Sequence, residues 1–317
     1  MSTLTLAEQA SAPGKVNLFF AAGPRRPDGY HDVASLYCAV STAETVTATP
    51  TRGTGIAVGV AAVPGSLVDQ QIAAGTFCLD AVPTDGSNLA VRAARAVLER
   101  FPALPGGLHL QIDKAVPVAG GMGGGSADAA AALVAVNRLA ARVSGRPALD
   151  DDALLALAAG LGADVPFALV GGAAVGTGTG AQLRPVRTGA GVHLVLVAGT
   201  AGLSTPAVYA ELDRLREHED VPAPALPHGL ERALSDGTAQ DLAPLLRNDL
   251  QPAALSMAPH LAAALAEGPA AGAAASLVSG SGPTVAHLLA DAASAEALAQ
   301  RLRERGAPAL AVRVPGP

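Results

Sequence analysis

The chain of 317 residues carries a formal net charge of −6 and only 3% aromatic residues, so neither a basic footprint nor stacking platforms for nucleic acid stand out, and a small-molecule partner is expected. Half of the residues are hydrophobic, yet no stretch of about 18 runs free of glycine or polar breaks, which argues against a membrane span. The length exceeds what a single core usually serves and predicts two domains.

The opening MSTLTLAEQASAPGK has neither the basic nor the apolar region of a secretory leader, so a cytoplasmic protein is expected. Strands are predicted at TLTL, GKVNLFF, ETVTATP and GIAVGV, with PRRPDGYH as a turn. Cys38 and Cys78 stand apart, with no CxxC pair and no histidine at ligand spacing, and read as buried thiols. In SNLAVRAARAVLERF, Leu89, Ala93, Ala96, Val97 and Leu98 recur at helical spacing behind Ser87 or Asn88 as a cap. GLHLQIDKAVP alternates as a strand with Leu108, Leu110 and Ile112 on one face. A glycine-rich loop follows, and then strong helix formers from Ala127 to Val143. DDALLALAAGLG predicts another capped helix, whereas ADVPFALVGGAAVGTGTG is too rich in glycine for one more. From about residue 190 the pattern restarts: a strand at VHLVLVAG, a helix at STPAVYAELDRLREHE, and helices from GLERALSDG through AAALAEG. Strands at AASLVSG and VAHLLA flank the turn SGPT, and the helix SAEALAQRLRER precedes a last strand, ALAVRV.

The segment PVAGGMGGGSADAA, entered by a strand and left by a helix, is where chemistry is expected. Backbone N–H groups approach an anion closely only where no side chain intervenes, and a helix N-terminus adds its positive end, so the loop predicts phosphate binding. Ser126 suits either the helix cap or a hydrogen bond to a phosphate oxygen. A Walker motif is absent, and GTGTGA, which matches a loose dinucleotide fingerprint, precedes QLRPVR rather than a helix and reads as a hairpin. Every basic residue is arginine except Lys15 and Lys114, which marks two places where a compact ammonium is wanted.

This loop, together with PGKVNLFF near the start and SGSGPT near the end, resembles the three motifs of the GHMP kinases, the superfamily of galactokinase, homoserine kinase and mevalonate kinase. RPDGYH, NLAVRAA, LGADVPFAL, LSTPAVY and NDLQ, in that order, are similar to the branch that phosphorylates a cytidine diphosphate-linked polyol in non-mevalonate isoprenoid precursor biosynthesis. Gly14, Ala119 and Met122 depart from that branch, which usually has alanine, glycine and leucine there; the first could loosen the strand carrying Lys15. The resemblance implies an α+β, two-domain GHMP kinase fold: residues 1–185 as a ribosomal protein S5 domain 2-like unit, and 186–317 as a ferredoxin-like unit completing the cleft. It implies ATP and Mg²⁺, with no metal ligand assigned, and a monomer or homodimer. Asp164 corresponds to the catalytic base and Lys15 to its partner. Asn88, Lys114 and the run Pro117, Val118, Ala119, Gly120, Gly121, Met122, Gly123, Gly124, Gly125, Ser126 and Ala127 fall on nucleotide positions. Tyr30, His31 and Tyr209 fall on cytosine positions, with Asn17 facing the same cleft as Lys15; Tyr37 matches nothing and reads as core. Asp128, in the first helical turn, is a weak candidate for Mg²⁺.

Three rival readings stay open at this point. The fold could serve another alcohol such as homoserine or mevalonate, GTGTGA could bind a nicotinamide cofactor, or the chain could be a nucleotide-binding regulator without catalysis.

Overall fold

The computed structural model describes residues 6–102, 106–189, 191–200 and 202–316. The strand expected at TLTL falls on residues 3–6, all but Leu6 outside the described residues. Strand β1 (Glu8–Arg25) and strand β2 (His31–Thr51) form one long antiparallel pair, from Glu8 opposite Ala48 to Arg25 opposite His31. PRRPDGYH turns between them, with Gly29 at a φ of 86°, the left-handed conformation that glycine adopts without penalty. The sequence pattern reveals only pieces of these strands. Their middle, Ala34–Val40, is buried throughout, and a strand covered on both faces shows no alternation.

Then follow β3 (Ile56–Ala62), α1 (Leu67–Ala73), α2 (Leu89–Leu98), β4 (Gly107–Lys114) and α3 (Gly124–Ser144). Next come α4 (Asp151–Leu161), α5 (Val165–Val170) and the hairpin β5 (Ala173–Thr177) and β6 (Gln182–Val186). GTGTGA is indeed the turn of that hairpin, with Gly178 and Gly180 at positive φ. Helix α5 corrects the expectation that ADVPFALV would not be helical. Pro166 occupies its first turn, where a missing N–H costs nothing, and Gly171 ends it.

The remainder comprises β7 (His193–Val197), α6 (Thr205–Leu215), α7 (Leu230–Asp236), α8 (Ala239–Leu242) and β8 (Arg247–Asn248). It closes with α9 (Gln251–Met257), α10 (Leu261–Ala270), β9 (Ala275–Val278), β10 (Val285–Leu289), α11 (Ala292–Glu304) and β11 (Ala309–Arg313). The first sheet has the order β3-β4-β2-β1-β8, with the β5–β6 hairpin attached to β2. The second has the order β11-β7-β10-β9, antiparallel throughout, the ferredoxin-like arrangement. The expected division after residue 185 falls one residue short of the end of β6. Two features tie the halves together: β8 pairs with β1, and Val16, Leu18 and Leu36 share a core with Leu194, Leu196 and Leu288.

Helix α3 buries Ala127, Ala129–Ala132 and Ala135 almost completely. Such small side chains let its backbone approach the sheet closely, which makes the alanine content of this helix a packing feature. Cys38 is buried as expected, but Cys78 is exposed. It lies next to a single 3₁₀ turn at Leu79–Ala81, none of whose residues is buried, so the local chain has no core to enter. Among the described residues no helix is long and apolar enough to cross a membrane.

Candidate active site

Strand β1 enters a cleft of about 700 Å³ with Lys15 and Asn17 on its floor, while Val16 and Leu18, on the opposite face, are fully buried in the core. The Lys15 ammonium donates to Asn17 Oδ1 at 2.8 Å and stands 3.8 Å from Asp164 Oδ2. It also lies 5.6 Å from the centre of the Tyr37 ring, a face that favours a cation. Asn17 in turn donates to Ser35 Oγ at 2.8 Å, and the Ser35 hydroxyl donates to the Phe19 carbonyl, so the amide orientation is fixed from behind. Asp164 precedes α5 but its side chain makes no capping bond, which leaves a carboxylate 33% exposed to the cleft. Tyr37 is core, as expected, and also lines the cleft; burial and then the Asp164 charge push its phenol above the ordinary value.

The glycine loop arrives beside this pair. Gly123 has a φ of 70°, and a Cβ there would stand 3.4 Å from Lys15 Cγ and 3.9 Å from Asp164 Oδ2. Lys15 N donates to the Met122 carbonyl at 2.9 Å, which ties the loop to β1. Helix α3 starts at Gly124 with Gly123 as its N-cap and no side-chain cap. Ser126 therefore sits inside the first turn rather than at the cap, and its side chain faces the cleft. The N–H groups of this first turn have no side-chain cap and lie next to Lys15 and Asp164.

The turn Ser279–Thr284 closes over the loop. Thr284 N donates to the Gly120 carbonyl at 3.3 Å, and a Cβ on Gly121 would meet the Ser279 and Gly282 carbonyl oxygens at 2.8 Å each. Ser279 Oγ accepts from Asn17 N at 3.1 Å. Asn248 holds this turn from below, donating to the Val278 and Gly280 carbonyls at 2.7 Å each.

At the far end of the cleft His31 stacks on Tyr209, with ring centroids 4.9 Å apart and an angle of 27°. Tyr30 stands beside them with 65% of its surface exposed. Burial first, and the Asp164 charge second, push the Tyr209 phenol up to about 12, so it stays neutral at physiological pH.

This arrangement has counterparts. The GHMP kinases N terminal domain model matches residues 88–172 and the GHMP kinases C terminal model matches residues 230–308. A 4-diphosphocytidyl-2-C-methyl-D-erythritol kinase of Pseudarthrobacter chlorophenolicus is 50% identical over 98% of this chain and 93% of its own length. One of Streptomyces coelicolor is 48% identical over 93% of this chain and 91% of its own. The chain belongs to the 4-diphosphocytidyl-2-C-methyl-D-erythritol kinase family. A crystal structure of a 4-(cytidine 5'-diphospho)-2C-methyl-D-erythritol kinase superposes with a TM-score of 0.76 at 32% identity, covering 98% of this chain and all of the other. The L. major mevalonate kinase, with a TM-score of 0.71 at 17% identity over 99% of this chain and 98% of its own, shares the fold.

Of the positions expected from the sequence in this 4-diphosphocytidyl-2-C-methyl-D-erythritol kinase family member, the cleft gathers Lys15, Asn17, Tyr30, His31, Gly121, Gly123, Ser126, Asp164 and Tyr209. Lys114 is elsewhere. Its ammonium is buried between Glu44 Oε1 at 2.6 Å and Asp128 Oδ2 at 2.7 Å, beneath the loop. Burial opposes its charge, but Asp128 and Glu44 outweigh that and hold its pKa above the ordinary lysine value. Glu44 Oε2 accepts from Ala115 N at 2.8 Å, and Oε1 would stand 3.1 Å from a Cβ on Gly124, a tight approach, so the triad packs against the loop from inside. Asp128 is 4% exposed and does not line the cleft, and its Oδ2 is engaged by Lys114. Asn88 caps α2, accepting from Ala90 N and donating to the Pro83 carbonyl, so both ends of its amide are used locally. Sequence reasoning missed Asp213 and Arg25, which line the cleft next to His31. Asp213 had a readable signal, since it lies four residues beyond Tyr209 and so on the same helical face.

Proposed function

We propose that the protein transfers the γ-phosphoryl group of ATP to the 2-hydroxyl of 4-diphosphocytidyl-2-C-methyl-D-erythritol. The observation that carries this reading is the cleft itself, which has an anion-binding helix N-terminus and a Lys–Asp pair at one end and three aromatic rings at the other. Asp164 accepts the proton of the attacking alcohol, whose own pKa makes it a poor nucleophile at neutral pH. Lys15, held by Asn17 and the Tyr37 face, favours the ionised carboxylate and offsets charge on the reacting oxygens. The N–H groups of Gly124, Gly125 and Ser126 receive the phosphates. Tyr30, His31 and Tyr209 take the cytosine, whose flat face stacks on aromatic rings.

Among the described residues no cluster of three or more His, Cys, Asp or Glu forms a cage for a cation, which fits Mg²⁺ arriving on the nucleotide, because that ion keeps its waters and takes few protein ligands. Ser126, at the start of α3, supplies the cleft hydroxyl that would hold it beside the phosphates, where it would neutralise β- and γ-phosphate charge and leave Asp164 free as the base. The 1–185 unit supplies the loop and the reacting pair, and the 186–317 unit supplies Tyr209 and the closing turn. Action in the cytoplasm as a monomer or homodimer completes the reading.

Phosphorus NMR of the purified protein with Mg·ATP tests it, using 4-diphosphocytidyl-2-C-methyl-D-erythritol, homoserine and mevalonate as parallel acceptors. A new phosphomonoester signal beside ADP is expected with the cytidine compound alone. Phosphorylation of another acceptor instead, or of none, overturns the proposal.

A further inference from the structure

Helix α6 carries Tyr209 and, one turn later, Asp213, and both side chains meet His31. Tyr209 stacks on the imidazole, while Asp213 Oδ1 lies 2.8 Å from its Nε2. The second carboxylate oxygen faces Arg25 Nε at 3.7 Å. An ionised carboxylate can only accept, so the proton of this hydrogen bond belongs to Nε2. A neutral imidazole with its proton on Nε2 presents a lone pair at Nδ1. Among the described residues nothing else bonds this ring, and Nδ1 is not among the enclosed polar atoms without a partner, so it is open to the cleft that His31 lines.

We infer that Asp213 is a positioning residue that sets base specificity: by fixing the His31 tautomer it makes Nδ1 an acceptor, suited to the exocyclic amino group of cytosine and opposed to the carbonyl that uracil carries there. This rests on the cytidine-linked acceptor proposed above. The pyrimidines differ at that edge in the sign of one hydrogen-bonding group, and stacking on Tyr209 or Tyr30 does not distinguish them, because both have equivalent π-faces. Discrimination must therefore come from a group whose donor or acceptor character is fixed. Imidazole alone is ambivalent, and the carboxylate behind it removes the ambiguity, as a carboxylate does for a metal-bound histidine. Asparagine at 213 would restore it, since an amide can accept from Nε2–H or donate to a bare Nε2.

The test compares cytidine 5'-monophosphate and uridine 5'-monophosphate as competitive inhibitors of the wild-type enzyme and of Asp213→Asn, with kcat and KM for the cytidine-linked acceptor measured alongside. The wild type should prefer the cytidine nucleotide by roughly 30-fold or more, the scale of one satisfied against one opposed hydrogen bond in a buried site. In Asp213→Asn the ratio should fall below about 3-fold, with KM for the acceptor raised at least about 5-fold and kcat nearly unchanged, as for a lost binding contact. A ratio unchanged by the substitution overturns the inference. Nitrogen-15 NMR of the wild-type protein, with the His31 signals assigned through their loss in His31→Gln, reads the tautomer without any change at 213. A proton on Nδ1 at neutral pH overturns the inference as well. If the wild type binds neither nucleotide, the cytosine reading of this pocket fails, and that result is distinct from tight cytidine binding with no effect of Asp213→Asn.

Discussion

Two glycines of the same loop should respond to alanine in opposite ways. Gly121 has a φ of 76° and faces two carbonyl oxygens 2.8 Å from where a Cβ would stand, both belonging to the turn at 279–284. A left-handed alanine costs about 1–2 kcal/mol, and moving one backbone away from the other adds to that, so Gly121→Ala should lose about 2–4 kcal/mol of stability. Gly125 lies in the first turn of α3, outside the left-handed region, and is exposed; its Cβ would meet only Leu89 Cδ1, at 3.7 Å. Nothing in the fold requires glycine there, and alanine should raise stability by about 0.5–1 kcal/mol through helix propensity and a less flexible unfolded chain. For a chain of this size that is a rise of roughly 1–3 °C in Tm. If the backbone of Gly125 lies against a phosphate, the added methyl lengthens a charge-assisted hydrogen bond worth about 1.5–3 kcal/mol, and kcat/KM for ATP drops roughly 10- to 100-fold. Thermal melts without ligand and steady-state kinetics with ATP varied measure both quantities. A Gly125→Ala enzyme that is more stable with an unchanged kcat/KM for ATP would refute the placement of the phosphates.

Three other outcomes follow from single contacts. Asp164→Asn should keep the melting temperature, because the carboxylate caps nothing and is partly exposed, but lower kcat by roughly 10²- to 10⁴-fold; phosphoryl transfer at the wild-type rate would remove Asp164 as the base. Ala119 has a φ of 53°, so Ala119→Gly should relieve about 1–2 kcal/mol of strain against about 0.4–1 kcal/mol of added chain entropy and leave the protein as stable or up to about 1.6 kcal/mol more stable in a melt. A lower Tm would contradict this. Burial, outweighing the Lys114 charge, pushes Glu44 up to about 7 from its ordinary carboxylate value, and burial raises Asp128 as well. Between those two values the folded state keeps a proton that the unfolded state has lost, so stability is greatest below the window and falls as pH rises toward 7. Denaturant midpoints at pH 5 and pH 8 should therefore differ less in Glu44→Gln than in the wild type, and a larger difference in the variant would refute the sign.

How far the sequence could be read depended on whether a residue's partners were near it in the chain. The glycine loop and Asp164 could be singled out because each is marked by a short run, and the fold brings both to one cleft. Lys114 was misplaced although its address was present. It shares the inward face of β4 with Leu108, Leu110 and Ile112, and an alternating strand that buries those leucines must bury the lysine too. The partners that make this tolerable, Glu44 on β2 and Asp128 on α3, are 70 and 14 residues away, and only the sheet register brings Glu44 beside it. An unpaired ammonium could not stay there. Gly14 teaches the same lesson from the other direction. Glycine there suggested a looser strand, and the β1–β2 register does shift between Pro13 and Lys15, but a Cβ at 14 would stand 2.9 and 3.2 Å from the two γ-carbons of Val116, which is fully buried. The space left by the absent methyl on β1 is filled by Val116, the residue just before the glycine loop, and the next residue of β1, Lys15, is still fastened to that loop through the Met122 carbonyl. The strand and the loop are therefore packed as one unit, and a change on either side has to be read against the other before it can be called a loss.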